Sequence, residues 1–400
     1  MKKEKSSRFH PFYPVTSVFL SLVIVFTLSS CWSRKDLGTL AIVLGTALDK
    51  ADNPDDMKLT AQVVKPEQIG AGATGEGSSS SGEKAYTNVT QTGSSMLTIV
   101  RKITHMQSRK LYFAHNEVII MSEDLARQGI SNVLDGFTRD LETRMNVKVL
   151  VSRGEASKIL EEDINFEKLP ASHIVNMLDN QQFNSETVSV TLRDFSIATL
   201  STTISPVAPI IEIHEVENEK YLRLQGTAIF KNGKMIGELS KDQTKGFMVV
   251  TNRAKSGVVT IETESGQVIL EIFDLMSHFK PIKKADGSFT IELNVEIESV
   301  LQSNETDEQM STPKNQEMLK EKLNELITQE IESTRNKAAQ LSADIFGFGE
   351  AIERVYPKDW EKIKEDWDRI FKDINLDINI KSFIRSTSGL SKKIAPGGAE

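Results

Sequence analysis

One cysteine in 400 residues removes two kinds of chemistry at once. No disulfide can close within the chain, and no cysteine-based zinc cluster can be built. Basic side chains are outnumbered, 48 Lys and Arg against 56 Asp and Glu, for a net charge of −8. That balance is a poor match to phosphate-rich surfaces, so nucleic acid is not expected as a partner. Aromatic residues are few, 6% with three tryptophans, and there are six histidines for acid–base or metal work. What remains is ordinary folded-protein material. A 39% hydrophobic and 26% charged mixture excludes both a wholly disordered chain and a multi-pass membrane protein. The length suits two to three domains.

The apolar residues of the first segment are concentrated. Lys2, Lys3, Lys5 and Arg8 precede an apolar run over residues 18–28, too short to span a bilayer comfortably and proportioned as an export signal. At its end stands Leu28-Ser29-Ser30-Cys31, holding the single cysteine. This run resembles the bacterial lipoprotein box, and the resemblance implies that Cys31 receives a diacylglyceryl group and becomes the first residue after cleavage. Residues 1–30 contain four basic and one acidic side chain, so the processed chain has 44 basic against 55 acidic, a net charge of −11. The acidic body gains little from anionic headgroups. Attachment is therefore expected to rest on lipid at Cys31, and the body to lie on a membrane surface outside the cytosol.

Beyond the anchor the pattern alternates. Strands are expected over 40–48 and 57–64, then a glycine- and serine-rich surface loop at 70–82. A helix over 94–105, a strand over 111–121, a helix built on Ile130, Val133, Leu134, Phe137 and Leu141, and a strand over 147–151 follow. Short helices are expected at 155–161, 171–178 and from 192. Pro206 and Pro209 change the texture and suggest an internal boundary. Asn232-Gly233 marks a hairpin between strands 221–230 and 235–239, and Ser265-Gly266 a second turn between 258–262 and 268–273. Residues 289–297 alternate apolar with polar, as a strand with one buried face does. Leu319, Leu323, Leu326, Ile327, Ile331, Ala338 and Leu341 line one side of a long helix over about 313–343, followed by a helix after Gly349, a further helix after Pro357 carrying Trp360 and Trp367, and a last strand over 376–380. The expected class is α/β (α+β), an elongated multidomain protein with mixed or antiparallel sheets packed against helices. The division is a signal peptide (1–30), a lipidated tether (31–35), an N-terminal α/β domain (36–152), a small, mostly helical middle domain (153–209) and a C-terminal α/β domain (210–400).

Candidate chemistry thins out on inspection. Gly70, Gly72 and Gly75 have dinucleotide-binding spacing, but no periodic helix begins at Gly75 to meet a phosphate. His105, His115 and Glu117 lack a further spaced metal ligand. His214-Glu215 lacks a second histidine at zincin spacing, and Ser81 and Lys84 sit in the polar loop with nothing to organise them. Trp360 and Trp367, seven apart, fit packing better than an aromatic ligand site. No catalytic, cofactor-binding or metal residue is assigned; Cys31 is the one site residue.

Three separated stretches resemble the Ger(x)C family, the lipoprotein C subunits of nutrient germinant receptors in spore-forming bacteria. They are Cys31-Trp32-Ser33-Arg34-Lys35-Asp36-Leu37 running into Leu40 to Asp49, Leu224 to Leu239 around Gly226, Phe230 and Gly237, and Asp344-Ile345-Phe346-Gly347-Phe348-Gly349 followed by Pro357, Trp360 and Trp367. The resemblance implies a three-domain, non-enzymatic lipoprotein on the outer surface of the spore inner membrane. Its implied partners are a multi-pass membrane A subunit, a transporter-like B subunit and, through diacylglyceryl-cysteine, membrane lipid; no cofactor is implied. A lipid-anchored solute-binding protein is the alternative, which two similar parallel α/β lobes would distinguish.

Overall fold

The computed structural model describes residues 18–19, 37–67, 84–139, 142–162, 167–181 and 184–385. Cys31, the tether, the glycine- and serine-rich segment 70–82, and the signal segment apart from residues 18–19 lie outside the described residues. In chain order the first half runs β1 (Leu40–Lys50), β2 (Met57–Val64), β3 (Tyr86–Gly93), α1 (Met96–Thr104), β4 (Lys110–Tyr112), β5 (Val118–Ser122), α2 (Glu123–Gln128), α3 (Ser131–Arg139), β6 (Lys148–Ser152), α4 (Ala156–Ile159), α5 (Pro170–Asn180) and α6 (Leu192–Leu200). The second half runs β7 (Val207–Val216), β8 (Glu219–Lys231), β9 (Lys234–Leu239), α7 (Lys241–Val250), β10 (Gly257–Thr263), β11 (Gly266–Lys283), β12 (Phe289–Asn304), α8 (Pro313–Gln340), α9 (Phe348–Val355), α10 (Pro357–Ile363), α11 (Trp367–Asp373) and β13 (Asn375–Arg385).

Two sheets organise these elements into a mixed α/β fold. The larger has the order β3-β2-β1-β5-β6-β7-β8-β9, with β4 also paired to β1. Its centre, β1, β5, β6 and β7, is parallel, and its flanks are antiparallel. Parallel strands are buried on both faces, and β5 is buried at every position. Ile119, Met121, Val149 and Val151 enter one apolar core, while Val118, Ile120 and Leu150 enter a second with Ile159, Ile174 and Leu178 from α4 and α5. The alternation of side chains along each strand thus supplies both helical layers.

The smaller sheet, β10-β11-β12-β13, is antiparallel until its last pair. β13 runs parallel to β12, because α8 to α11 carry the chain back to the starting end. α8, 28 residues long and so about 42 Å, starts at Thr312, whose hydroxyl accepts from Asn315 N, with Pro313 in its first turn. Leu319, Leu323, Ile327, Ile331 and Ala338 are buried along it, whereas Leu326 is only partly covered.

Two expectations are corrected. The strand expected over 111–121 is interrupted by a 3-10 turn at Phe113–His115. Phe113 is buried there, and the break lets β4 pair with the start of β1 and β5 with its end. The single helix expected around Trp360 and Trp367 is split by a 3-10 turn at Lys364–Asp366. Apart from these two corrections, the larger sheet continues from β6 into β7 on either side of residues 205–206. β7 begins at Val207 and takes Pro209 beside a bulge, where the missing N–H is tolerated. The sequence pattern did not reveal four elements: β3, α2, β7 and α7. β3 lacks apolar alternation because it is mostly Thr, Asn and Gln, and α7 begins with a Ser240/Gln243 capping box.

Candidate functional site

The turn after α8 carries the densest set of polar contacts to a buried charge. Ser342 adopts a left-handed conformation (φ 51°) and turns the chain. Asp344, only 3% exposed, then folds back over the residues that follow it. Its Oδ1 accepts from the backbone N–H groups of Phe346, Gly347 and Phe348 at 3.1, 2.9 and 3.2 Å, and Oδ2 from Gly349 at 2.8 Å. Phe348 and Gly349 open α9, where their N–H groups have no partner within the helix. The indole Nε1 of Trp367 donates to the same Oδ2 at 3.3 Å. Burial pushes the Asp344 carboxyl up to about 6, against the pull of the four backbone donors. It is therefore ionised at neutral pH.

The two glycines in this turn have separate reasons. Gly347 sits at φ +81° as the N-cap of α9, where a side chain would be strained. Gly349 faces the indoles: an added Cβ would lie 2.8 Å from Trp367 Nε1 and 3.1 Å from Trp360 Cη2. The aromatic rings occupy one another. Trp360 and Trp367 meet edge-on at 5.3 Å between centroids, Phe346 stacks on Phe348 at 4.9 Å, and Phe348 meets Phe279 at 5.0 Å. The tryptophans meet as the spacing suggested, from two helices rather than one.

The hairpin tip of β8 and β9 reaches the same place. Asn232 and Gly233 have φ of 51° and 71°, as a two-residue hairpin turn of this twist requires. Lys231, just before it, pairs with Asp368 at 2.6 Å and donates to the Ser342 carbonyl. Ser205 N donates to the Asp344 carbonyl at 2.8 Å, bringing in the segment after α6. Between these elements lies a cavity of about 340 Å³ bordered by Thr203, Lys231, Asn232, Asp344 and Asp368. Two of the three signature stretches, far apart in the chain, thus meet at one junction. The Ser201 hydroxyl there accepts from Thr203 N and Ile204 N, both at 3.1 Å. It shapes a turn.

The first signature stretch ends in a comparable arrangement. Asp49, 2% exposed, accepts from Ala156 N at 2.6 Å and Ser157 N at 3.0 Å, capping α4 from the end of β1. Gly226 (φ +81°) occupies the bulge in β8, where a Cβ would meet the Leu239 carbonyl at 2.6 Å, and Gly237 lies against Leu341. Sequence reasoning named these residues without their partners, which are 107 residues away for Asp49 and Ala156.

The other candidate side chains are dispersed. The His115 ring meets Tyr112 at 5.9 Å, and Glu117 accepts from Ser172 at 2.9 Å. His214 lies 3.4 Å from an Arg223 nitrogen. Lys84 donates to the Glu161 carbonyl at 2.9 Å, and Ser81 lies outside the described residues. Among the described residues, no group of three His, Cys, Asp or Glu is placed to hold a metal ion, and no helix is long and apolar enough to cross a membrane.

Comparison with known proteins assigns the family. Residues 33–213 match the spore germination protein N-terminal domain, and residues 225–388 match the spore germination B3/GerAC-like C-terminal domain. The chain belongs to the Ger(x)C family of spore germination proteins. Among its relatives, spore germination protein KC of Bacillus subtilis (strain 168) is 26% identical over 389 residues, covering 92% of this chain and 94% of that one. The putative spore germination protein YfkR of the same organism is 24% identical over 365 residues, 90% and 93% of the two chains. The crystal structure of the GerBC protein superposes with a TM-score of 0.53 at 18% identity, covering 85% of this chain and 96% of that one. It supports the mixed α/β fold. Within this Ger(x)C chain, Asp49, Gly226 and Asp344 make contacts that join distant parts of the fold.

Proposed function

We propose that this Ger(x)C protein is a non-enzymatic, lipid-anchored subunit of a nutrient germinant receptor on the outer surface of the spore inner membrane. It acts there in assembly or signalling with a multi-pass A subunit and a transporter-like B subunit. The observation that carries this reading is the use of the family's signature residues. Asp49, Lys231, Asp344 and Trp367 bond to backbone groups or to one another, as suits a body whose task is to hold a shape for partners. Lipid at Cys31 confines that body to the membrane surface. Two acyl chains hold where one gives marginal attachment, and confinement raises the effective concentration for a membrane partner, so modest contacts suffice.

Cys31→Ala tests the anchor and the assembly together. The variant is expected to lose acyl label and move to the soluble fraction of spore lysates, and tagged protein should no longer recover the A and B subunits that the wild type recovers from gently extracted membranes. Full membrane retention of processed, unlipidated protein would overturn lipid as the anchor. Retention with an uncut signal would make residues 18–28 a signal anchor instead. Wild-type protein that recovers neither subunit would count against the receptor assignment.

A further inference from the structure

A second cleft lies away from the Asp344 turn, where residues 187–194 and the end of α5 border the end of α7. At that end the chain reverses at Asn252 (φ 55°), and the N–H groups of Arg253 and Ala254 both return to the Met248 carbonyl, at 2.8 and 3.0 Å. Asn252 Oδ1 accepts from Ser277 N on β11 at 3.1 Å. On the other side, the Ser185 hydroxyl accepts from Lys255 N at 3.1 Å and donates to the Ser256 carbonyl at 2.7 Å. The turn is pinned from two directions, so the base of the Arg253 side chain is fixed before any ligand arrives.

Arg253 extends from this turn into a cleft of about 670 Å³, within the size range of small-molecule sites. Its guanidinium lies over the Phe247 ring, 5.5 Å from the centroid. Among the described residues it makes no hydrogen bond or ion pair. Solvent reaches the residue, yet the surrounding walls desolvate it enough to lower its pKa, and Asp194 opposes that shift through space. A guanidinium stays charged and offers five donors in a planar fork, matched to a carboxylate. In the free protein those donors face water, and an incoming carboxylate can replace it with two parallel charge-assisted bonds.

The opposing wall limits what else the ligand carries. Asp179, Gln181, Thr187, Ser189 and Asp194 line it. Asp179 pairs with Lys148 at 3.3 Å, and Asp194 accepts from the Thr191 hydroxyl at 2.8 Å. Each carboxylate has more acceptor sites than these contacts use. A ligand of pure negative charge would face both, whereas an ammonium group would be drawn to them. We propose that this cleft binds a small zwitterion with the chemistry of a free amino acid, its carboxylate on Arg253 and its ammonium toward Asp179 and Asp194. Leu178 and Met248 complete the lining and give its side chain an apolar surface.

Calorimetry on full-length protein in detergent tests this independently of the receptor role. The probes are the proteinogenic amino acids, their methyl esters, the corresponding deaminated acids and inorganic phosphate. At least one free amino acid is expected to bind, with its ester and its deaminated acid each at least about tenfold weaker. Arg253→Gln should weaken binding at least about tenfold with an unchanged melting temperature, and Asp179→Asn should weaken the amino acid while sparing the deaminated acid. Absence of binding by every amino acid at about 10 mM, a concentration that detects even millimolar affinity, would overturn the proposal. So would equal binding by Arg253→Gln, or phosphate and deaminated acids binding as well as the zwitterion, which would make this a plain anion site.

Discussion

At the scale of single residues, buried aspartates bear the largest local consequences. Asp344 satisfies four backbone donors and one indole, and Asp344→Ala would leave all five without their acceptor. The expected loss is about 3 kcal/mol or more, since each buried unmade hydrogen bond costs about 1 kcal/mol or more, measured by urea unfolding at pH 7. The pH dependence gives a second readout. The carboxyl is raised from 3.8 to about 6 in the fold, so the folded state holds the proton more tightly than the unfolded chain, and this residue's contribution to stability falls as pH rises through that window. Subtracting the Asp344→Ala curve from that of the wild type should expose this slope. A difference flat with pH would mean that the carboxyl titrates alike in both states.

Helices and strands were legible wherever their own side chains carried the period. The alternation at 289–297 and the buried stripe of α8 follow from sequence alone, and Asn232-Gly233 announced its hairpin. β3 was silent because its strand-forming residues are polar. Close approach between elements was silent as well. Gly246 in α7 touches the backbone of α8 so tightly that an added Cβ would lie 2.3 Å from the Glu330 carbonyl and 2.4 Å from Thr334 Oγ1. Thr334 spans the crossing, donating to the carbonyls of Gln243 and Glu330, both at 2.7 Å. Because backbone atoms must move, Gly246→Ala should destabilise by about 2 kcal/mol despite Ala's better helix propensity, and thermal melts would register it. An unchanged or raised melting temperature would show that α7 shifts on α8 without cost.

Over the whole molecule, one apolar core runs from the first sheet into the second. Leu48, Ile119, Phe195, Phe230, Phe247, Leu293 and Leu323 all belong to it, and Phe195 meets Phe230 edge-on at 5.1 Å. This continuity predicts that the two sheets unfold together. Tryptophan fluorescence, which includes Trp360 and Trp367 beside the second sheet, and far-ultraviolet circular dichroism, which senses both sheets, should give coincident urea midpoints. A circular dichroism transition without a fluorescence counterpart would show that the first sheet melts separately.

The sequence by itself determined the acidic charge, the lone cysteine, the local elements and the family signature, because each is carried by neighbouring residues. The tertiary structure decided which of those residues meet. It ran the first sheet across the prolines at 206 and 209, brought Lys231 to Ser342 and Asp368, set Asp49 over the start of α4, and left Arg253 facing Asp194 across a cleft. Such contacts join positions tens to more than a hundred residues apart. They depend on sheet order and helix placement, which a pattern of near neighbours does not encode.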